Sequence, residues 1–189
     1  PTRSTGPYRT LPLSIHWTRG SHDAVVDLAG QQVSLKIGEW SKWIDLRFDI
    51  NLMTRVRGMV QLLLVRADNE LQLYASPINM RPDGPPTAIS YPAHLSDDLV
   101  RKIGSFRTLG WSEAVGPLNA GRIDEQMFMD DLYRAFDDRA QLILTALTSS
   151  TWDVLVGVVE STDAVQHMMW RLTDPASPRY DAALAAKYG

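Results

Sequence analysis

Trp152-Asp153-Val154-Leu155-Val156-Gly157-Val158-Val159-Glu160 decides the reading of the fold. It is a nearly continuous β-branched run with no polar alternation, the pattern of a strand buried on both faces, as in a helix-covered parallel sheet. Ser161-Thr162-Asp163 ends it, and a short helix is predicted from Ala164 to Leu172. Upstream, Asp124 to Leu147 reads as the clearest helix of the chain. Met127, Phe128, Leu132, Phe136, Ile143, Leu144 and Leu147 form an apolar stripe opposite Asp130, Arg134, Asp137 and Arg139. The order is helix, buried strand, helix: one unit cut from an α/β fold.

Toward the N-terminus the period changes. Val33, Leu35 and Ile37 alternate with polar neighbours, as do Ile44, Leu46 and Phe48, and Leu71, Leu73 and Ala75. Period-2 patterning predicts half-buried strands with one wet face. Leu11–Thr18 and Gly58–Arg66 read as further strands, with hairpin turns at Ala29-Gly30 and Asp68-Asn69. Pro77, Pro82, Pro85, Pro86 and Pro92 then crowd one segment, which continues neither strand nor helix. It is read as the exit from a β-rich lobe, followed by a helix capped by Ser96 and closed by Gly104. The expected fold is therefore α+β: an antiparallel β-rich lobe over residues 1–92, then a helical segment with a piece of an α/β core over 93–189.

Composition bounds the function. Of 189 residues, 44% are apolar and 22% charged, which is ordinary for a globular chain. The net charge of −3 carries no electrostatic footprint for nucleic-acid polymers. The absence of cysteine excludes disulfides, thiolate nucleophiles and Cys-ligated metals. No apolar run approaches the roughly 18 residues of a membrane span. Pro1–Pro7 has no apolar signal core, and the missing initiator Met predicts a piece of something longer.

Phosphate-loop, dinucleotide, zinc-protease and nucleophile-elbow motifs are all absent. His16, His22 and His94 stand alone. Ser149-Ser150-Thr151 lies at the amino end of the expected strand, the wrong edge for chemistry, and Asp130-Asp131 and Asp137-Asp138 read as a solvated helix face. Trp40 and Trp43 are read as packing, capping the β lobe or meeting a neighbouring domain, with an aromatic ligand platform as the alternative. The informative pair is Asp163 and His167. Asp163 follows the carboxyl end of the expected strand, the edge where α/β sheets bind ligands. His167 lies one helical turn on, on the same face. Together they offer a carboxylate oxygen and an imidazole nitrogen to one point, with the nearest oxygen and nitrogen expected about 3–6 Å apart. Zinc and similar borderline ions accept that pair, although a site needs at least a third ligand. The competing assignment is an N-capping Asp and an ordinary helix His, with Met168, Met169 and Trp170 as packing.

Glu160 to Arg171, followed by Asp174-Pro175 and Pro178-Arg179-Tyr180, resembles the type I phosphodiesterase/nucleotide pyrophosphatase family of the alkaline phosphatase superfamily. Gly38–Trp43, Leu73–Ile78 and the path from Ile89-Ser90-Tyr91-Pro92 to Phe106–Gly110 resemble the β-rich insertion of a bacterial branch of these enzymes. The resemblance implies an incomplete alkaline-phosphatase-like fold. It implies a parent that hydrolyses a phosphoester substrate at a two-metal centre, with zinc or manganese as the ion and Asp163 and His167 as two metal ligands. The family's Thr or Ser nucleophile, early Asp, Asp-His-Gly pair and final His are not in these 189 residues. The resemblance therefore implies a fragment inactive alone and holding no metal tightly. The rival expectation is a non-catalytic β-rich binding or structural module, which pairs with another chain.

Overall fold

The computed structural model describes residues 9–51, 53–109, 113–149 and 151–189. The expectations for Pro1–Pro7 and for Ser150 fall outside the described residues. The chain is mixed α+β with antiparallel sheets, and it divides into two compact units, one up to Leu109 and one from Gly110 onward. The change of chain character predicted near residue 93 marks the onset of helix. The compact division comes later, because the segment to Leu109 is bonded back to the β structure.

In the first unit, β1 (Leu13–His16), β2 (Asp23–Leu28) and β3 (Gln31–Lys36) form one antiparallel sheet. Alternation puts Ala24, Val26 and Leu28 of β2 inside. The β2–β3 hairpin turns on Ala29 and Gly30, whose φ values of 54° and 80° are both left-handed, as a two-residue type I′ turn requires. The Asp27 carboxylate accepts from the Gly30 N–H at 2.9 Å.

The run expected as one strand, Gly58–Arg66, is two. β4 (Ile44–Asp49) pairs with β5 (Arg55–Val60), whereas β6 (Leu62–Ala67) pairs with β7 (Leu71–Ala75). Gln61 is the corner between two sheets. Its N–H donates to Ser76 Oγ at 3.0 Å and its carbonyl accepts from the Ser76 N–H at 2.9 Å, while Leu62 N–H donates to Ser41 Oγ at 2.8 Å. Side-chain hydroxyls thus replace the ladder bonds lost where the strand changes sheet. One core gathers Val26, Leu35, Ile44, Leu46, Val60, Leu62 and Leu64 from all three sheets.

The short strand β8 (Asn79–Met80) pairs with β5 at Gly58, where a Cβ would come within 2.8 Å of Ile78. Asn79 Oδ1 then accepts from the N–H groups of Thr108 and Leu109, at 2.9 and 3.1 Å. Arg81, its side chain 14% exposed, bridges Asp45 at 2.6 Å and Asp83 at 2.7 Å and donates to Ser105 Oγ. These bonds attach the proline-rich segment and α1 (Leu95–Ile103) to the β structure. Gly104 closes α1 as expected, at φ 82°. Ser96, in contrast, lies inside the helix and is buried, and its N–H is bonded by the Ser90 hydroxyl.

The second unit contains α2 (Val115–Asn119), α3 (Glu125–Ser149), α4 (Ser161–Met169), a 3₁₀ turn Trp170–Leu172 and α5 (Ala182–Tyr188). Asp124 caps α3, accepting from Met127 N–H at 2.8 Å. The stripe predicted on α3 is split. Met127, Phe128 and Leu132 are buried, but Phe136, Leu144 and Leu147 are exposed. Asp131, expected on a solvated face, is buried and accepts from the Ala114 N–H at 2.9 Å.

The largest correction concerns Trp152–Glu160, which forms no strand. Its residues are held along α3 in reverse order. Trp152 Nε1–H donates to the Ala146 carbonyl at 2.8 Å, Gly157 lies against Ile143, and Glu160 meets Arg139 at 3.5 Å. A strand exists only with a ladder partner, and among the described residues this unit has no strand to pair with it.

Candidate metal-ligand pair

The helix α4 begins at Ser161, three residues earlier than the sequence predicts, with Glu160 as the flanking residue. The Glu160 carbonyl accepts from the N–H groups of Asp163 and Ala164, at 3.0 and 3.2 Å. Its inward face is Ser161, Ala164 and Met169, continued by Leu172 of the 3₁₀ turn, all buried. That spacing defines one stripe of a helix, and the opposite stripe is Asp163, His167 and Trp170. Both ends are tied down. Ser161 Oγ donates to the Glu113 carboxylate at 3.1 Å. Arg171 pairs with Glu125 at the start of α3 at 2.5 Å, both side chains 18% exposed, and donates to the Arg179 carbonyl at 3.1 Å.

The outward stripe places Asp163 Oδ1 and His167 Nε2 3.5 Å apart, with side-chain exposures of 49% and 71%. This separation lies inside the expected range. It also agrees with the roughly 3–3.5 Å between two donors that share one tetrahedral ion. Asp163 sits in the first turn of α4 and makes no capping bond, so the N-cap assignment fails. His167 is not buried among the methionines. Met169 is in the core, while Trp170, also expected as packing, is exposed on the His167 side of the helix. The sequence carried the signal for Trp170 in its spacing of seven from Asp163, two turns along one face. The helix dipole favours the arrangement, with the carboxylate near the N-terminus and the imidazole near the C-terminus.

The donor set fits a borderline divalent ion as half of a site. Carboxylate oxygen and imidazole nitrogen suit zinc or manganese, and both side chains are open to receive further ligands. Among the described residues no group of three or more His, Cys, Asp or Glu side chains gathers at one point. Among the same described residues, no helix has the length and apolarity to cross a membrane.

Elsewhere, His16 and His22 are exposed and His94 pairs loosely with Asp98 at 3.8 Å. Trp40 stacks edge-on to Tyr74, ring centroids 5.7 Å apart, in the packing role expected of it. Comparison of the chain with protein-family models, curated proteins and solved structures found no match in any of the three.

Proposed function

We propose that this chain is part of a metal-dependent phosphodiesterase or nucleotide-pyrophosphatase-like hydrolase, and that Asp163 and His167 are two ligands of its metal centre. The observation that carries the reading is their convergence: an oxygen and a nitrogen 3.5 Å apart on the outward face of an anchored helix. The proposed fold of the parent is alkaline-phosphatase-like, with the unit up to Leu109 as an insertion that shapes the substrate mouth. Asp163 contributes negative charge and His167 a neutral nitrogen donor. The ion supplies Lewis-acid stabilisation of a phosphoryl group in an in-line displacement. The nucleophile and the remaining ligands belong to polypeptide outside these 189 residues, so the chain alone is inactive.

The test has two arms. The 189-residue chain is assayed on bis(p-nitrophenyl) phosphate with added zinc or manganese, and no turnover above background is expected. Metal-dependent turnover that survives purification and vanishes in His167→Ala contradicts the incomplete-core reading. The reading frame on either side is then inspected. An upstream Thr or Ser preceded by an Asp, with a downstream Asp-His-Gly, is expected.

The second reading is a non-catalytic β-rich binding module. It is favoured by the self-contained core and Arg81 network of the unit up to Leu109. A reading frame without the flanking motifs selects it.

A further inference from the structure

The part of the α3 stripe that the core leaves out has a regularity of its own. At about 100° per residue, Tyr133, Phe136, Ala140, Leu144 and Leu147 fall within about 80° of arc, turned away from the buried Met127, Phe128, Leu132 and Ala135. The four large side chains of this row are 42% to 59% exposed. No charged residue interrupts it, although charge is what a solvated helix face carries. On one flank Gly157 lies on Ile143, so the 152–160 segment borders the row, with Trp152 and three valines at 154, 156 and 158 exposed as well. At roughly 150–250 Å² for a whole aromatic side chain and somewhat less for Leu or Val, the exposed parts of row and flank reach about 800 Å². The largest apolar patch of a monomer is about 300–600 Å², whereas one side of a standard interface buries about 800 Å².

We propose that this face is an interface between two copies of this chain, joined about a twofold axis at Ala140 with the α3 helices antiparallel. A twofold interface must be self-complementary. The row is: its steps of three, four, four and three residues read the same in both directions about Ala140. Tyr133 therefore meets Leu147 of the second copy, and Phe136 meets its Leu144. Ala140 meets Ala140, whose small side chains let the two helix axes close to about 8 Å. Charge selects the same direction. Asp130 and Asp137 lie on the flank away from Ile143. Antiparallel pairing brings Asp137 beside Gln141 and Asp130 beside Thr148, whereas parallel pairing sets each carboxylate against its own copy. The pairing uses neither Asp163 nor His167, so it stands apart from the phosphodiesterase reading.

Sedimentation velocity of the 189-residue chain from about 1 to 100 μM tests the pairing, and the mass doubles across that range. Phe136→Glu places a charge in the interface twice over and weakens self-association by about tenfold or more. Phe136→Glu/Leu144→Lys restores it, because each new carboxylate then meets the new ammonium of the other copy; the two positions stand about 12 Å apart along one helix and do not pair within it. A chain that stays monomeric throughout overturns the proposal. So does a dimer indifferent to Phe136→Glu, which assigns another face, and so does a double variant no better than the single one, which rejects the antiparallel register. A second measurement needs no charge reversal. The chain has no cysteine, so Ala140→Cys carries a single thiol at the axis. A bismaleimide with a span of about 8 Å joins two copies there, the separation expected of closely packed helices. Glu70→Cys, on an exposed turn of the first unit, gives no such product. Equal crosslinking at the two positions, or none at Ala140→Cys, overturns the proposal. A longer protein that stays monomeric while the 189-residue chain dimerises also overturns it, assigning the face to flanking polypeptide.

Discussion

Gly157 lies flat against Ile143: a Cβ at that position would stand 2.7 Å from Ile143 Cδ1 and 3.0 Å from Cγ1. The contact sets how closely the 152–160 segment approaches α3. Gly157→Val is expected to push the segment off the helix or force Ile143 from its rotamer, at a cost of about 1–3 kcal/mol. Thermal unfolding of the variant, compared with Ile143→Ala/Gly157→Val, checks it. The smaller residue at 143 should recover part of the loss if the clash is the cause.

The Arg171–Glu125 pair should matter more than a surface ion pair. Both side chains are 18% exposed, so removing one leaves its partner partly buried and uncompensated. Arg171→Met is expected to destabilise the chain by about 1–3 kcal/mol. A double-mutant cycle with Glu125→Gln measures the coupling, and strict additivity would show that the two do not act together.

Acid should loosen the proline-rich segment. Burial works against the Asp83 carboxylate, but the hydrogen bond and charge of Arg81, with Arg57 behind it, outweigh that and hold its pKa below the usual value. Burial likewise works against the Arg81 guanidinium, and its bonds to Asp83 and Asp45 outweigh it and raise its pKa. The Asp83 pKa is depressed on folding, so its stabilisation is complete above the unfolded carboxylate value of about 3.9 and is lost as pH falls through the lower folded value. Asp83→Asn should therefore be less stable than the parent at neutral pH and converge with it in acid. Denaturant midpoints measured from neutral pH down to about pH 2 test this.

Asp163→Ala should cost this chain about 0.5 kcal/mol or less, because the side chain is half exposed and makes no capping bond. In the parent hydrolase proposed above, the same change should abolish most turnover, and His167→Ala should do likewise. A large fall in melting temperature with normal turnover would return Asp163 to a structural role.

Alternation along β3, β4 and β7, the Ala29-Gly30 turn, the Gly104 stop and the Asp163–His167 stripe were all legible in the sequence. Each depends on residues within a few positions of one another, where strand and helix periods act directly on the chain. The sequence marked Trp152–Glu160 as a strand buried on both faces, whereas no strand forms there and Val154, Val156 and Val158 are exposed. Other features needed tertiary partners. The break of Gly58–Arg66 at Gln61 depends on Ser41 and Ser76, distant hydroxyls that satisfy the corner. Ser90 replaces Ser96 at the start of α1, and the burial of Asp131 depends on the Ala114 N–H, because each bond joins groups whose approach no local period encodes. The 152–160 segment, expected as a strand and forming none, is the sharpest case. Its β-branched run carries a preference for a sheet, but a ladder is a property of two chain segments, and among the described residues this unit has no strand to pair with it.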